Sequence, residues 1–431
     1  MRFAFLCLWI LSWLNADASF LTLSDAYQRA LAHAFKLKSA AYQADAKQEE
    51  IQEAQSQLYP QVYMSLDKVH RKYRDNLFHY TTKEAYNSAS IVASQSLYRP
   101  EILSQIDSAK LQAESAKLYV TQQEQVVASR LIDAYLSVLK SQSSVRVAQS
   151  YVETNRLRYE QIRRKLELQL ATKMDLAESK VVYEQSQIVL HKEERSLKLA
   201  ELTLAKLVGS INVDVPKIVL EQLPVETLLP QFSHDALDRN LDLQMGKLAT
   251  SIYEKEVEIA KYGHYPSVEL SFSHSRYDTN DITVDYERDS RVMLEVKVPL
   301  FQGGKVNAQI EKNRLRLLAS QEDFNDKQRE IQLRYEGLLV TYASLVENVR
   351  LQKEAKASAQ LYLYAVEKGY DRGLKSLIDL EDAKSKWYES HFKLIDTIFS
   401  LLNTYVDLLS VSGRLNAQTV ERLNSFMATS R

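Results

Sequence analysis

Nine glycines and seven prolines are few for 431 residues, and their placement matters more than their number. Between Pro100 and Gly209 the chain has neither, so no strong helix breaker interrupts that stretch. At 1.5 Å per residue, even half of it as one helix is on the order of 80 Å long. Helices of that length are rare in globular cores, and coiled-coil packing is their usual explanation. The single cysteine is Cys7. Beyond it the chain can build neither a disulfide framework nor a thiolate metal site. Lys and Arg number 55 against 56 for Asp and Glu, a net charge of -1, and that balance suggests neither nucleic acid nor an electrostatic membrane tether. No stretch after the N-terminus is apolar for eighteen residues, which argues against a transmembrane helix.

The N-terminus itself is apolar. Arg2 precedes the run Phe3 to Leu14, and Asn15-Ala16-Asp17-Ala18-Ser19 follows. A basic start, a short apolar core and a small-x-small site form a secretory signal peptide, residues 1–18, cut after Ala18. The run is too short to span a bilayer, and Cys7 sits inside it without a lipidation box. An exported chain of this kind can cross a membrane only with strands. Enzyme chemistry finds no support. The histidines form no HExxH or comparable ligand set, and Gln302-Gly303-Gly304-Lys305-Val306 lacks the upstream glycine and following Ser/Thr of a P-loop. No catalytic, cofactor or metal site is expected.

What is present is a long internal repeat. Tyr59-Pro60 ends one helical stretch and Tyr265-Pro266 another (265 − 59 = 206), and Leu31 and Leu37 fall on Leu237 and Leu243 at the same offset. Gln95-Ser96-Leu97-Tyr98 is answered by Val298-Pro299-Leu300-Phe301, and Asp175-Leu176 by Asp379-Leu380. So long a period fits a duplicated domain and not a solenoid. The expected division is a first repeat over 19–209, an irregular connector with three prolines over 210–232, a second repeat over 233–413 and a polar tail over 414–431. Each repeat reads helix, strand, loop, strand, very long helix, turn, helix.

The last helix of each repeat carries a heptad stripe: Leu176, Tyr183, Leu190, Leu197 and Leu204, then Leu380, Trp387, Leu394, Leu401 and Leu408. A second stripe begins five residues on, with Val181, Ile188 and Leu202 interrupted by Arg195 in the first copy, and Phe392, Phe399 and Val406 preceded by Ser385 in the second. It lies roughly 140° round the helix from the first. Two seams suit a helix with neighbours on both sides, either in a cylinder wall or in a bundle. The strand pairs, near 61–98 and 267–300, alternate apolar and polar residues over about ten positions, enough for a tilted strand to cross a bilayer. Tyrosines crowd the strand ends, as in an aromatic girdle. Polar loops, Arg74–Lys83 and Asp278–Asp289, link the strands and are expected to face the outside of the cell. Four strands cannot close a barrel, and open edges are forbidden in lipid, so the chain must oligomerise. Eight strands would leave an interior filled by side chains, and three chains are the smallest assembly that closes around a lumen.

In this order the motifs resemble the TolC family of outer-membrane efflux proteins over nearly the whole mature chain. The helix end Ala54 to Pro60, the stretch Val298-Pro299-Leu300-Phe301-Gln302-Gly303-Gly304 before a long helix, and the turn Tyr370-x-x-Gly373 leading to Asp379-x-x-Asp382-Ala383 carry the likeness. The resemblance implies a mainly α fold with membrane β: a homotrimer whose twelve-stranded barrel in outer-membrane lipid continues into a periplasmic α-helical barrel. It implies an exit duct for efflux or type I secretion, passing substrate from an inner-membrane transporter and a periplasmic adaptor (membrane fusion) protein in a Gram-negative cell. It also implies a pore constriction at Asp379 and Asp382, with Asp175 as their first-copy counterpart, and closed-state tethers at Tyr370 and Lys375. Crowding in such a ring would raise the carboxyl pKa values. The tip turns hold Gly373 in one copy and Gln169 in the other, a departure because only glycine takes φ > 0 freely. Lys375 stands where the family has a tethering arginine, and it cannot make a bidentate pair. The rival reading is a periplasmic structural or adaptor coiled coil, although adaptors usually have one hairpin and Gly-rich β domains.

Overall fold

The computed structural model describes residues 20–74, 81–210, 214–225, 228, 234–279 and 288–428. The expected signal peptide, Cys7, most of both strand-linking loops and part of the connector lie outside the described residues.

Helices α1 (Leu23–His33) and α2 (Phe35–Ser56) lead to strands β1 (Gln61–Arg74) and β2 (Thr81–Tyr98). Helix α3 (Pro100–Glu167) and helix α4 (Lys173–Val208) complete the first copy. The second copy runs α5 (Leu241–Lys261), β3 (Ser267–Thr279), β4 (Arg288–Lys297), α6 (Lys305–Asp371) and α7 (Leu377–Val411). The long helices span 68 residues in α3 and 67 in α6, the length that the missing breakers allow. Pro100 opens α3 at the first helical position, where its absent N–H is no loss.

Compactness does not follow the repeats. One unit comprises residues 1–38, 121–240 and 329–431, and the other residues 39–120 and 241–328. Both long helices contribute to each.

The second unit holds one antiparallel sheet in the order β1-β2-β3-β4. The strands run 14, 18, 13 and 10 residues, so the first hairpin extends beyond the ten expected, its polar ladder continuing to Arg74↔Thr81. The register explains the alternation. Val62, Ala93, Phe272 and Val292 stand side by side across the sheet, and Met64, Leu66, Ile91, Leu270, Val268, Leu294 and Val296 share their face. The other face carries Gln61, Ser65, Asp67, Ser88, Ser90, Ser94, Ser271, Ser273, Glu269 and Glu295. The apolar residues are solvent-exposed in the single chain, apart from the half-buried Ala93 and Val268. Their band slants: its middle moves from Met64 on β1 to Leu294 on β4, which the register sets level with Pro60 (64 − 60 = 4).

The first unit is built on α7. Leu380, Leu394, Leu401 and Leu408 are buried, and so are Ile395, Ile398, Leu402 and Val406 round the helix. This corrects the expectation that no later stretch is apolar enough to span a membrane. By length and composition α7 is, yet half of its most apolar window is buried within its own chain, as befits a core helix. The connector is irregular, as expected, but it is not merely a link: Val215, Ile218, Leu220, Leu223 and Val225 are buried, and Leu21 N–H donates to Asp214 O at 2.7 Å. The tail departs from the expected polar end. Helix α8 (Ala417–Ala428) buries Val420, Leu423 and Met427 and packs against α1. Those three residues follow an i, i+3, i+7 spacing. Gly413 makes the bend before α8 with φ 65°, and a side chain there would collide with the Arg239 carbonyl.

Candidate functional site

Both hairpin turns close in the same way. Leu170 N–H donates to Lys165 O at 2.8 Å and Gln169 N–H to Leu166 O at 2.9 Å. In the second copy Leu374 N–H donates to Gly369 O at 2.8 Å and Gly373 N–H to Tyr370 O at 2.9 Å. This paired pattern is a Schellman ending, which requires a left-handed residue just past the helix. Gly373 adopts φ 74° and Gln169 φ 58°. The first turn therefore keeps the geometry and carries the strain of a β-carbon there, about 1–2 kcal/mol.

The helices that follow start with equivalent caps. Thr172 Oγ1 accepts from Asp175 N–H at 3.1 Å, and the Asp175 carboxylate accepts from Thr172 N–H at 2.8 Å. Ser376 and Asp379 repeat this at 3.1 and 2.9 Å. Each is a capping box with Asp in the place of the usual Glu. The backbone N–H of the capping residue, then its hydroxyl, holds both carboxyls below their ordinary range. Within one chain the sign is thus the reverse of that expected from crowding in a ring. Asp382 lies one turn on from Asp379, exposed, with its carboxylate 2.6 Å from Lys386 Nζ. Among the described residues, neither Asp175 nor Asp379 hydrogen-bonds outside its own box.

Tyr370 packs on the cluster of Val366, Leu380 and Ala383. Its ring carries the Arg158 guanidinium at 4.1 Å, with Lys165 Nζ 5.5 Å from the centroid. Lys375 lies elsewhere: its side chain folds over Gly369. The cations on Tyr370 thus come from α3 of the first copy. Arg158 and Lys165 are seven residues apart and share a helix face, a signal hidden in the sequence among Arg156, Arg163 and Arg164. Next to the acidic pair in sequence, Glu381 and Lys384 are 8% and 5% exposed, with Nζ 3.3 Å from Oε1. Burial lowers the Lys384 pKa, with Glu381 opposing it.

A duplicated helix–sheet unit whose sheet carries an apolar band on one face and two unpaired edge strands, with acid-bearing hairpin tips, is the subunit of a membrane channel. The comparisons with known proteins agree. The family of outer membrane efflux proteins matches residues 26–210 and again residues 232–414, and the chain belongs to that family. Outer membrane protein TolC of Escherichia coli K12 is 24% identical over 432 residues, covering 94% of this chain and 85% of its own. The proteases secretion protein PrtF of Dickeya chrysanthemi is 24% identical, with 96% and 93% covered. The crystal structure of the outer membrane protein VceC from Vibrio cholerae superposes with a TM-score of 0.78 at 16% identity, covering 91% of this chain and 96% of VceC. The protein is therefore an outer-membrane exit duct for efflux or secretion, of a family of channels and not of enzymes. The reading as a periplasmic adaptor falls with that membership.

Proposed function

We propose that three copies close one barrel of three times four strands in the outer membrane, continuous with a periplasmic helical tunnel. Substrate delivered by an inner-membrane transporter through a periplasmic adaptor would leave passively through it. The sheet is the observation that carries this reading. Its apolar face suits lipid and its serine-rich face suits a wet lumen, while β1 and β4 each keep one unpaired edge. Lipid forbids such edges, and pairing β4 of one copy with β1 of the next removes them all. The slant of the apolar band supports closure as well. Four residues, ~13 Å, over three strand spacings, ~14 Å, correspond to a strand tilt of about 40°, within the range of closed barrels. The helices add a second support. The outer stripe of α4, Val181, Ile188 and Leu202, is 51%, 67% and 52% exposed, an uncovered seam for a neighbouring copy.

At the tips, Asp379 and Asp382 stand on one face of α7 and would form a threefold acidic constriction, with Asp175 beside it on α4. Tyr370 would hold the closed state, through Arg158 and Lys165 in addition to the residue first assigned, Lys375. Rings of Asp favour cations and multivalent blockers. Replacing Asp379 and Asp382 together by Ala should weaken cation selectivity and block by trivalent cations in planar bilayers, with assembly unchanged. Undiminished selectivity and block in a properly assembled double variant would return both residues to helix capping and surface pairing alone.

A further inference from the structure

The lipid-facing side of the sheet is not apolar throughout. Toward the strand-linking loops, the same alternation that presents Val62, Met64 and Leu66 continues with Lys68, His70 and Lys72 on β1. Arg276 and Arg288 stand side by side, level with Leu66 and Ala89, on the same face. All of these are exposed. Asp278, paired across Asn87 from Lys68, is the one acidic residue of this face among the described residues, and His274 is hydrogen-bonded to Ser290 at 2.7 Å. The opposite end of this face, with Gln95, Tyr98, Val268 and Val296, carries no charge among the described residues. Basic residues thus mark only the end away from the helices.

We propose that Lys68, Arg276 and Arg288 form a binding site for the phosphate groups of phosphorylated glycolipid in the outer leaflet. The inference rests on the membrane reading of the sheet. Depth supports it: each residue lies two to four positions beyond the last apolar side chain that its own strand places on this face, ~7–13 Å, at headgroup level. Long basic side chains there keep their stems on apolar surface and their charge at the interface. Shape supports it as well, because a depression of about 310 Å³ opens among Leu66, Lys68, Asn87, Ala89, Arg276 and Asp278, with Asp67 and Ser88 of the other face also at its wall. Among the described residues Lys68, Arg276 and Arg288 make no ion pair, so their charge is available. Arginine forks match phosphate oxygens bidentately, which makes these pairs stronger than neutral hydrogen bonds. A closed trimer would repeat the site three times round its rim.

The test is native mass spectrometry of the detergent-extracted oligomer titrated with synthetic bisphosphorylated lipid A, or with the same lipid dephosphorylated. The parent should retain the phosphorylated lipid and release the other. The triple variant K68Q/R276Q/R288Q should bind about tenfold or more weakly, as loss of charge-assisted bonds requires. The charge-preserving K68R/R276K/R288K should retain most of the affinity, and R291Q/K297Q on the opposite face should bind like the parent. If the triple variant does not assemble, the single variants K68Q and R276Q decide in its place, each expected to weaken retention. Equal binding of both lipids, an unaffected neutral variant, or an equal loss in the opposite-face variant would overturn the proposal. Displacement of the lipid by inorganic phosphate would also overturn it, in favour of a free-anion site. The oligomer's own mass appears in the same spectrum, so failure to assemble counts against the channel reading and failure to retain lipid against this one alone.

Discussion

Residue chemistry separates the two hairpin tips although their backbones agree. Both turns need a left-handed residue, and the sequence supplies Gly373 in one copy and Gln169 in the other. The sequence alone exposed that mismatch but not its resolution, because a Schellman ending imposes φ > 0 whatever the residue. Replacing Gln169 by Gly should therefore stabilise the first hairpin, by about 1 kcal/mol once the extra backbone freedom of glycine is set against the relieved strain. Hydrogen exchange of amides near residues 166–175 would show slower opening, and faster opening would contradict the strain. Thr172 and Ser376, three residues before Asp175 and Asp379, are a helix-start signal that the pore expectation left unused. The pore role proposed for the two aspartates depends on neighbouring copies, which no local pattern records.

Among the elements, periodicity served well where one chain covers a helix. The heptad stripe of α7 is buried at Leu380, Leu394, Leu401 and Leu408, as its apolar run implied. On α4 the second stripe stays exposed, the seam proposed above for a neighbouring copy. Polar groups between helices were the least legible. Nothing in the sequence distinguishes Glu381 and Lys384, buried and paired, from the adjacent exposed pair of Asp382 and Lys386. Three-dimensional neighbours decide that, not spacing. Breaking the buried pair should be costly: Lys384→Met leaves the Glu381 carboxyl without its partner and should destabilise the first unit by about 3–5 kcal/mol. Replacing both, with Glu381→Leu added, should recover most of the loss, since two charges no longer need burying. Denaturant melts of the two variants measure the difference, and equal destabilisation would mean that the pair contributes nothing beyond the space it fills.

At the scale of the whole molecule, the duplication, the long helices and the strand pairs were all readable from residue spacing. The sheet's single order across both copies was not, because pairing of β2 with β3 joins segments far apart in sequence. The tail was misread for a related reason: α8 is short, and its stripe of Val420, Leu423 and Met427 gains meaning only once α1 offers a surface to cover. The sheet's one apolar face, its serine-rich reverse and its two unpaired edges all demand further copies of the chain. The mass of the folded, detergent-extracted particle tests that demand most directly. Extraction only with detergent and three chains per particle are expected, and a soluble monomer released by osmotic shock would contradict a membrane-embedded oligomer.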